Sequence, residues 1–252
     1  MPEGLWSALQ TPNAWMLVVA IVAAGLVRGF AGFGTALVFI PVATRVIEPA
    51  EATALMTITG MGALLVLVPR AWGVASKREV ATLAVPAILC APLGVLLLRI
   101  VPEVPLRWAV ALAASLTLAA LVSGWRYRGR VGRPGLAAVG ASAGMLGGST
   151  GLTGPPVILF YLAGPDRAAV VRANTILFLG ALEFGVAGAI LAQGLLTERA
   201  LWLGAVLTAL YMTFTAAGQA LFSEEREALY RRVAYAVIGI AIAAGLPIWD
   251  GG

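Results

Sequence analysis

Histidine is absent from this 252-residue chain and cysteine occurs once, as Cys90. With no imidazole and a single thiol set in an apolar run, neither a zinc site nor a disulfide framework can be assembled, and no metal or other cofactor is expected. Charge is scarce as well: 12% of residues are charged and 60% are hydrophobic, against about 25% charged in an ordinary soluble domain. What charge there is leans positive, with a formal net of +5. The basic residues sit in short loops between apolar runs rather than on one helix face or in a tail, so positive-inside topology explains them better than nucleic acid does.

What is present in abundance is apolar length. Continuous hydrophobic segments run over 52–68, 80–98, 108–125, 173–192, 201–222 and 233–249, each long enough to cross a hydrocarbon core of about 30 Å as a helix. Positions 1–13 carry Glu3 but no Lys or Arg before the first apolar run. They lack the basic start of a cleaved signal peptide and read as a short structural lead-in. No stretch is left for a separate soluble domain.

Two further apolar regions, 15–46 and 136–163, are broken near their middles by Arg28-Gly-Phe-Ala-Gly-Phe-Gly34 and by Gly147-Gly-Ser-Thr-Gly-Leu-Thr-Gly-Pro-Pro156. Glycine at this density interrupts a helix. The two regions align without gaps at an offset of 119, placing Gly25, Gly29 and Gly32 on Gly144, Gly148 and Gly151. Each is followed by three unbroken spans. The expected fold is therefore an all-α polytopic membrane protein of eight hydrophobic segments in two four-segment repeats, 1–128 and 134–252, joined by a basic linker at 126–133. Chance similarity among small residues of membrane helices is the competing explanation.

A 32-residue helix over 15–46 would be about 48 Å long, too long for one crossing without strong tilt. Two half-helices turning back at the glycines fit better, and the charges give an independent check. If all eight segments cross, the Lys and Arg other than Arg28 divide eight against eight. If the glycine-broken segments are re-entrant hairpins, Arg167, Arg172, Arg226, Arg231 and Arg232 join Arg70, Lys77, Arg78, Arg126, Arg128, Arg130 and Arg133. That leaves Arg45, Arg99, Arg107 and Arg199 opposite them, twelve against four. The re-entrant reading restores the positive-inside rule. It makes the repeats inverted, puts both termini outside the cytoplasm, and brings the hairpin tips together near the midplane. Eight full crossings remain the alternative.

A half-helix that begins inside the membrane presents unpaired amides and the positive end of its dipole, and so attracts an anion. Thr35 and Ala36 are expected to begin one such half-helix, and Pro155 and Pro156 the other. Gly32, Gly34 and Gly151 permit close backbone approach, and Ser149, Thr150 and Thr153 offer hydroxyl donors. Arg28 beside the first turn is costly in lipid and can hold an oxyanion by two parallel hydrogen bonds. Snorkelling to an interface and anchoring of the turn's carbonyls are its alternatives. Arg172 and Asn174 are further substrate-binding candidates, Asn174 with polar helix packing as its alternative. Glu183 lies midway along 173–192, where an ionised carboxylate is expensive, so it is the proton-coupling candidate. A structural hydrogen bond, or a buried pair with Arg28 or Arg172, would also account for it.

These motifs resemble the TauE/SafE family of sulfite and organosulfonate transporters, the toluene-sulfonate uptake permease family. The match is carried by Gly25-Leu-Val-Arg-Gly-Phe-Ala-Gly-Phe-Gly-Thr-Ala-Leu37 with Ile40-Pro41 and the Ala-rich start at 50–54. In the second half it is carried by Gly144-Met-Leu-Gly-Gly-Ser-Thr-Gly-Leu-Thr-Gly-Pro-Pro156 and Arg172-Ala-Asn-Thr175. The resemblance implies a permease of the bacterial inner membrane that moves sulfite, sulfoacetate or related sulfur compounds, with direction and substrate open. Its partners are then the bilayer and a small anion, with a homodimer as an open option. Transport of a carboxylate or a cation is the alternative, although a cation carrier calls for more intramembrane carboxylates than Glu183. An intramembrane enzyme is disfavoured: Ser149 has no histidine to activate it, and the spans hold no acidic pair. The chain also has no Walker motif of its own.

Overall fold

The computed structural model describes residues 10–124, 131–164, 167–221 and 227–250. Most of the basic linker and most of the amino-terminal lead-in lie outside the described residues, as does Arg226. Among the described residues the chain is all-helical, with ten α-helices and a closing 3-10 turn. The first half contains α1 (Ala14–Ala31), α2 (Thr35–Ala43), α3 (Pro49–Trp72), α4 (Lys77–Ile100) and α5 (Glu103–Val122). The second contains α6 (Arg133–Thr150), α7 (Pro155–Ala163), α8 (Ala168–Ala192), α9 (Glu198–Leu221) and α10 (Glu227–Gly245).

Both expected interruptions are real, and glycine chemistry places them. Gly32 ends α1 with φ 80° and its N–H on the Arg28 carbonyl. Gly151 ends α6 with φ 72° and its N–H on the Gly147 carbonyl. A left-handed cap of this kind is cheap only for glycine. The two 18-residue helices and their caps keep the offset of 119, but the second turn then holds one residue more than the first. The gapless alignment therefore ends at the caps. Each turn leads into a nine-residue half-helix, α2 from Thr35 and α7 from Pro155. At about 13.5 Å neither half-helix can cross a membrane alone.

Six helices, α1, α3, α4, α5, α8 and α9, are long and apolar enough to cross a membrane. The set differs from the six unbroken runs of the sequence at one place. The run 233–249 is helical only to Gly245, then Pro247–Asp250 forms the 3-10 turn, and the start of α10 carries Glu227, Arg231 and Arg232. Its place among the six is taken by α1, whose 18 residues are apolar but for Arg28.

Packing follows the logic of a bilayer rather than of water. Along α4 the small residues Ala84, Ala87, Ala91 and Gly94 face inward, whereas Val85, Leu89, Leu93, Leu96 and Ile100 are exposed. Lipid rewards no burial of large side chains, so helices associate through small residues that let backbones approach. Gly140, Gly144 and Gly148 of α6 lie on the backbone of Leu83, Ala87 and Ala91 of α4. In the other half Gly25 lies on Tyr211, Phe214 and Thr215, and Gly29 on Thr215, Gly218 and Gln219. The partners advance together in both cases, so α6 runs parallel to α4 and α1 runs parallel to α9.

The same reading orients the remaining spans. Gly204 meets Ile58 and Thr208 meets Gly62, so α3 is parallel to α9. Glu183 meets Gly60 while Gly180 meets Leu64, so α8 is antiparallel to α3. The Ser76 amide donates to Asn174 Oδ1 at one end of the α4–α8 pair, and Arg99 donates to the Gln193 carbonyl at the other. Helices α1, α3 and α9 thus point one way, and α4, α6 and α8 the opposite way.

Candidate functional site

The last turn of α1 presents Arg28, which is 2% exposed. Its Nη2 stands 3.9 Å from Oε1 of Glu183 on α8, itself 2% exposed. That separation is ion-pair range but exceeds the 2.7–3.2 Å of a hydrogen bond. Accordingly Nε and Nη2 of Arg28, and both carboxylate oxygens of Glu183, have no hydrogen-bond partner. Nε and Nη2 form one edge of the guanidinium fork, the geometry that grips an oxyanion bidentately. Gly60 of α3 makes the room: a Cβ there would stand 2.5 Å from the Glu183 carboxyl carbon.

Snorkelling does not describe a side chain this deeply buried, and the anchoring role belongs to another residue. Arg172 of α8 donates from Nη2 to the Gly29 carbonyl at 2.5 Å, and its Cγ packs against Gly32. Any side chain at position 32 would meet both that contact and a positive φ. Arg28 and Arg172 are close enough to repel one another, so two guanidinium groups share the first turn. One is spent on backbone and the other keeps an open fork.

After the glycine turn begins α2, capped by Gly34 at φ 97° with no side-chain hydrogen bond. The Val38 amide donates to the Gly34 carbonyl. The amides of Thr35, Ala36 and Leu37 have no acceptor within the helix, and the positive end of the dipole sits with them. The Thr35 hydroxyl is 2.6 Å from the Tyr211 hydroxyl of α9. Tyr211 is wholly buried and interacts electrostatically with both Arg28 and Glu183. Arg28, Gly32, Gly34, Thr35, Arg172 and Glu183 are therefore one neighbourhood.

The second turn is differently equipped. Ser149 and Thr150 both donate to the Leu146 carbonyl, at 3.3 and 2.7 Å, and Thr150 also accepts from the Leu152 amide. Thr153 packs its methyl and backbone against Gly147. Pro155 and Pro156 remove two amide hydrogens from the start of α7, so that end offers an anion fewer donors than α2 does. Gly151 abuts Ile40 and Thr53, whereas Gly32 abuts Arg172. The second tip is thus lodged against α2, the half-helix of the first hairpin, and against α3, whereas the first tip is lodged against α8. The offset of 119 returns at α3 and α8, which begin at Pro49 and Ala168, so Gly147 and Thr53 stand where the first turn has Arg28 and Arg172. The second turn is charge-free.

A broken helix with a buried arginine facing a lone carboxylate suits an anion carrier, and the family comparison decides the class. The sequence model described as sulfite exporter TauE/SafE matches residues 17–246. The chain belongs to the TauE/SafE family. Neither the curated proteins nor the solved structures gave a match. TauE/SafE proteins are integral membrane transporters, not enzymes, which disposes of the intramembrane-enzyme reading of Ser149.

In this TauE/SafE member Asn174 is fully buried and caps the start of α4 through Ser76. That bond ties α8 to the α3–α4 turn through Oδ1, while Nδ2 of Asn174 is buried without a hydrogen-bond partner. Two residues of the neighbourhood, Tyr211 and Gly60, were not singled out from sequence. Tyr211 is the only phenol within the apolar run 201–222, and Gly60 follows Thr57-Ile-Thr59, signals too common in membrane helices to stand out.

Proposed function

We propose that this TauE/SafE transporter is a secondary carrier that binds a small sulfur oxyanion or organosulfonate at the first glycine turn. The observation that carries this reading is the buried, unpartnered Nε/Nη2 edge of Arg28, in the turn of α1 that precedes the glycines from which α2 starts. A desolvated guanidinium is costly unless a counter-charge completes it. A tetrahedral or pyramidal oxyanion supplies two oxygens to the fork and others to the amides near Thr35. The test is thermal shift of the purified protein against sulfate, thiosulfate, methanesulfonate, simple carboxylates and simple cations. Stabilisation by the sulfur oxyanions is the expected result. Stabilisation by cations alone overturns it.

The repeats 1–128 and 134–252 are, in this reading, inverted and each opens with a re-entrant hairpin. Helices α1 and α3 point the same way, so the segment between them has to return the chain to the face it left. The same holds for α6, α7 and α8 in the opposite sense. Irregular backbone is then buried in protein, as hydrocarbon requires. A reporter in the linker 126–133 is expected on the cytoplasmic side and reporters at both ends of the chain on the other side, following the twelve-to-four division of charge. Reporters placing the linker and both ends on one side would sink the inverted arrangement.

A further inference from the structure

Among the described residues, Glu183 is the only carboxylate paired with the open fork, and its oxygens are held by no hydrogen bond. Helix α3 faces it with Gly60, α1 with Arg28, and α9 with the phenol of Tyr211. Its oxygens have no hydrogen-bond donor, yet Arg28 Nη2 is 3.9 Å away. A rotamer adjustment of under an ångström or so closes that gap to a direct bond of about 2.9 Å. The edge of Arg28 that Glu183 would then occupy is the edge a bound oxyanion needs.

We propose that Glu183 is an internal stand-in for the substrate: its carboxylate and the transported anion compete for the same Nε/Nη2 edge of Arg28, so the anion binds together with a proton on Glu183. The inference rests on the anion site proposed above. In the empty carrier the ionised carboxylate neutralises Arg28. When an anion takes the fork, an ionised Glu183 would face a second negative charge in a dry site, and it takes up a proton instead. The balance is one anion and one proton entering, with no bond broken and the guanidinium charged throughout. With a monoanion such as methanesulfonate, loaded and empty sites both hold one cation matched by one negative charge, the condition for reorienting across a low-dielectric core. A dianion such as sulfate brings one further negative charge, left to the amide end of α2 to offset. Movement is anion–proton symport, its direction set by the sum of the two gradients.

The sign follows from the protonation states. Where the carboxyl is protonated it is neutral and the fork is free. As pH rises the carboxylate forms and claims Arg28, so affinity for the anion falls by up to about 10-fold per pH unit. Sulfate and methanesulfonate are suitable probes because neither titrates across this range. Calorimetry on the intact protein in two buffers of different ionisation enthalpy is expected to show uptake of up to one proton per anion bound. In Glu183→Gln the uptake should vanish, and affinity at alkaline pH should exceed that of the parent by about 10-fold or more.

The wild-type measurement keeps the test alive if the Gln variant fails to fold. Anion binding that takes up no proton and does not vary with pH overturns the competition while leaving the Arg28 site standing. So does a folded Gln variant with unchanged pH dependence. Failure of the parent to bind either probe at acidic pH removes the anion site itself, and the competition with it.

Discussion

Replacing Arg28 by alanine is expected to weaken sulfate or methanesulfonate binding about 10- to 150-fold, the equivalent of the roughly 1.5 to 3 kcal/mol carried by a charge-assisted hydrogen bond to a desolvated anion. Arg28→Lys keeps the charge but loses the planar edge, so its loss should be smaller. The structure sharpens this order, because the parent guanidinium has both Nε and Nη2 unpartnered, and an ammonium cannot present two parallel donors. Calorimetry on variants that stay monodisperse in detergent is the measurement. An alanine variant that binds as tightly as the parent would leave the site to backbone amides and Thr35 alone. Arg172→Ala provides a contrast: it frees the Gly29 carbonyl and should act mainly through the order of the turn, lowering thermal stability even without anion.

The second large effect concerns the helix contacts rather than the site. A Cβ on Gly144 would collide with the backbone of Ala87, whereas Gly188, in the body of α8, has nothing within 4 Å of the equivalent position. Backbone cannot rotate out of the way as a side-chain tip can. Gly144→Ala should therefore force α6 off α4 at a cost of about 1–3 kcal/mol or more, and Gly144→Leu should prevent the pair from forming. Gly188→Ala should be neutral or gain about 0.5–1 kcal/mol from helix propensity. Thermal unfolding midpoints in one detergent compare the variants. Equal midpoints for Gly144→Ala and Gly188→Ala would show that the α4–α6 contact is looser than described here.

The asymmetry between the two turns bears on how such a carrier is organised. The two broken helices have matching caps at Gly32 and Gly151. The first turn holds two arginines and faces a carboxylate, while at the second the equivalent positions are Gly147 and Thr53, and Leu64 matches Glu183. Desolvating charge is expensive, so one charged turn is enough to bind an anion and a second would add cost without adding a partner. The hydroxyls of Ser149 and Thr150 satisfy the end of α6 instead.

Sequence by itself determined the features that depend on residues close together along the chain. Apolar length marked the spans, the glycine clusters marked both breaks, and Thr35 and Pro155 were legible as helix starts because caps and first turns are decided within a few residues. The family resemblance rested on the same local motifs, and the match over 17–246 bears it out. Arg28 and Glu183 stood out singly, since any ionisable group in an apolar span is costly. Only the tertiary structure decided what each one faces. It set Arg28 beside Glu183, gave the anchoring of the turn to Arg172, and completed the neighbourhood with Tyr211 and Gly60. Those contacts join residues on α1, α2, α3, α8 and α9, and they depend on which backbones approach closely enough at glycine to bring distant polar groups together. A pattern of hydropathy records that a face is buried. It carries no information about which helix covers it, and in lipid, where large and small apolar residues are equally at ease, that choice is made by packing alone.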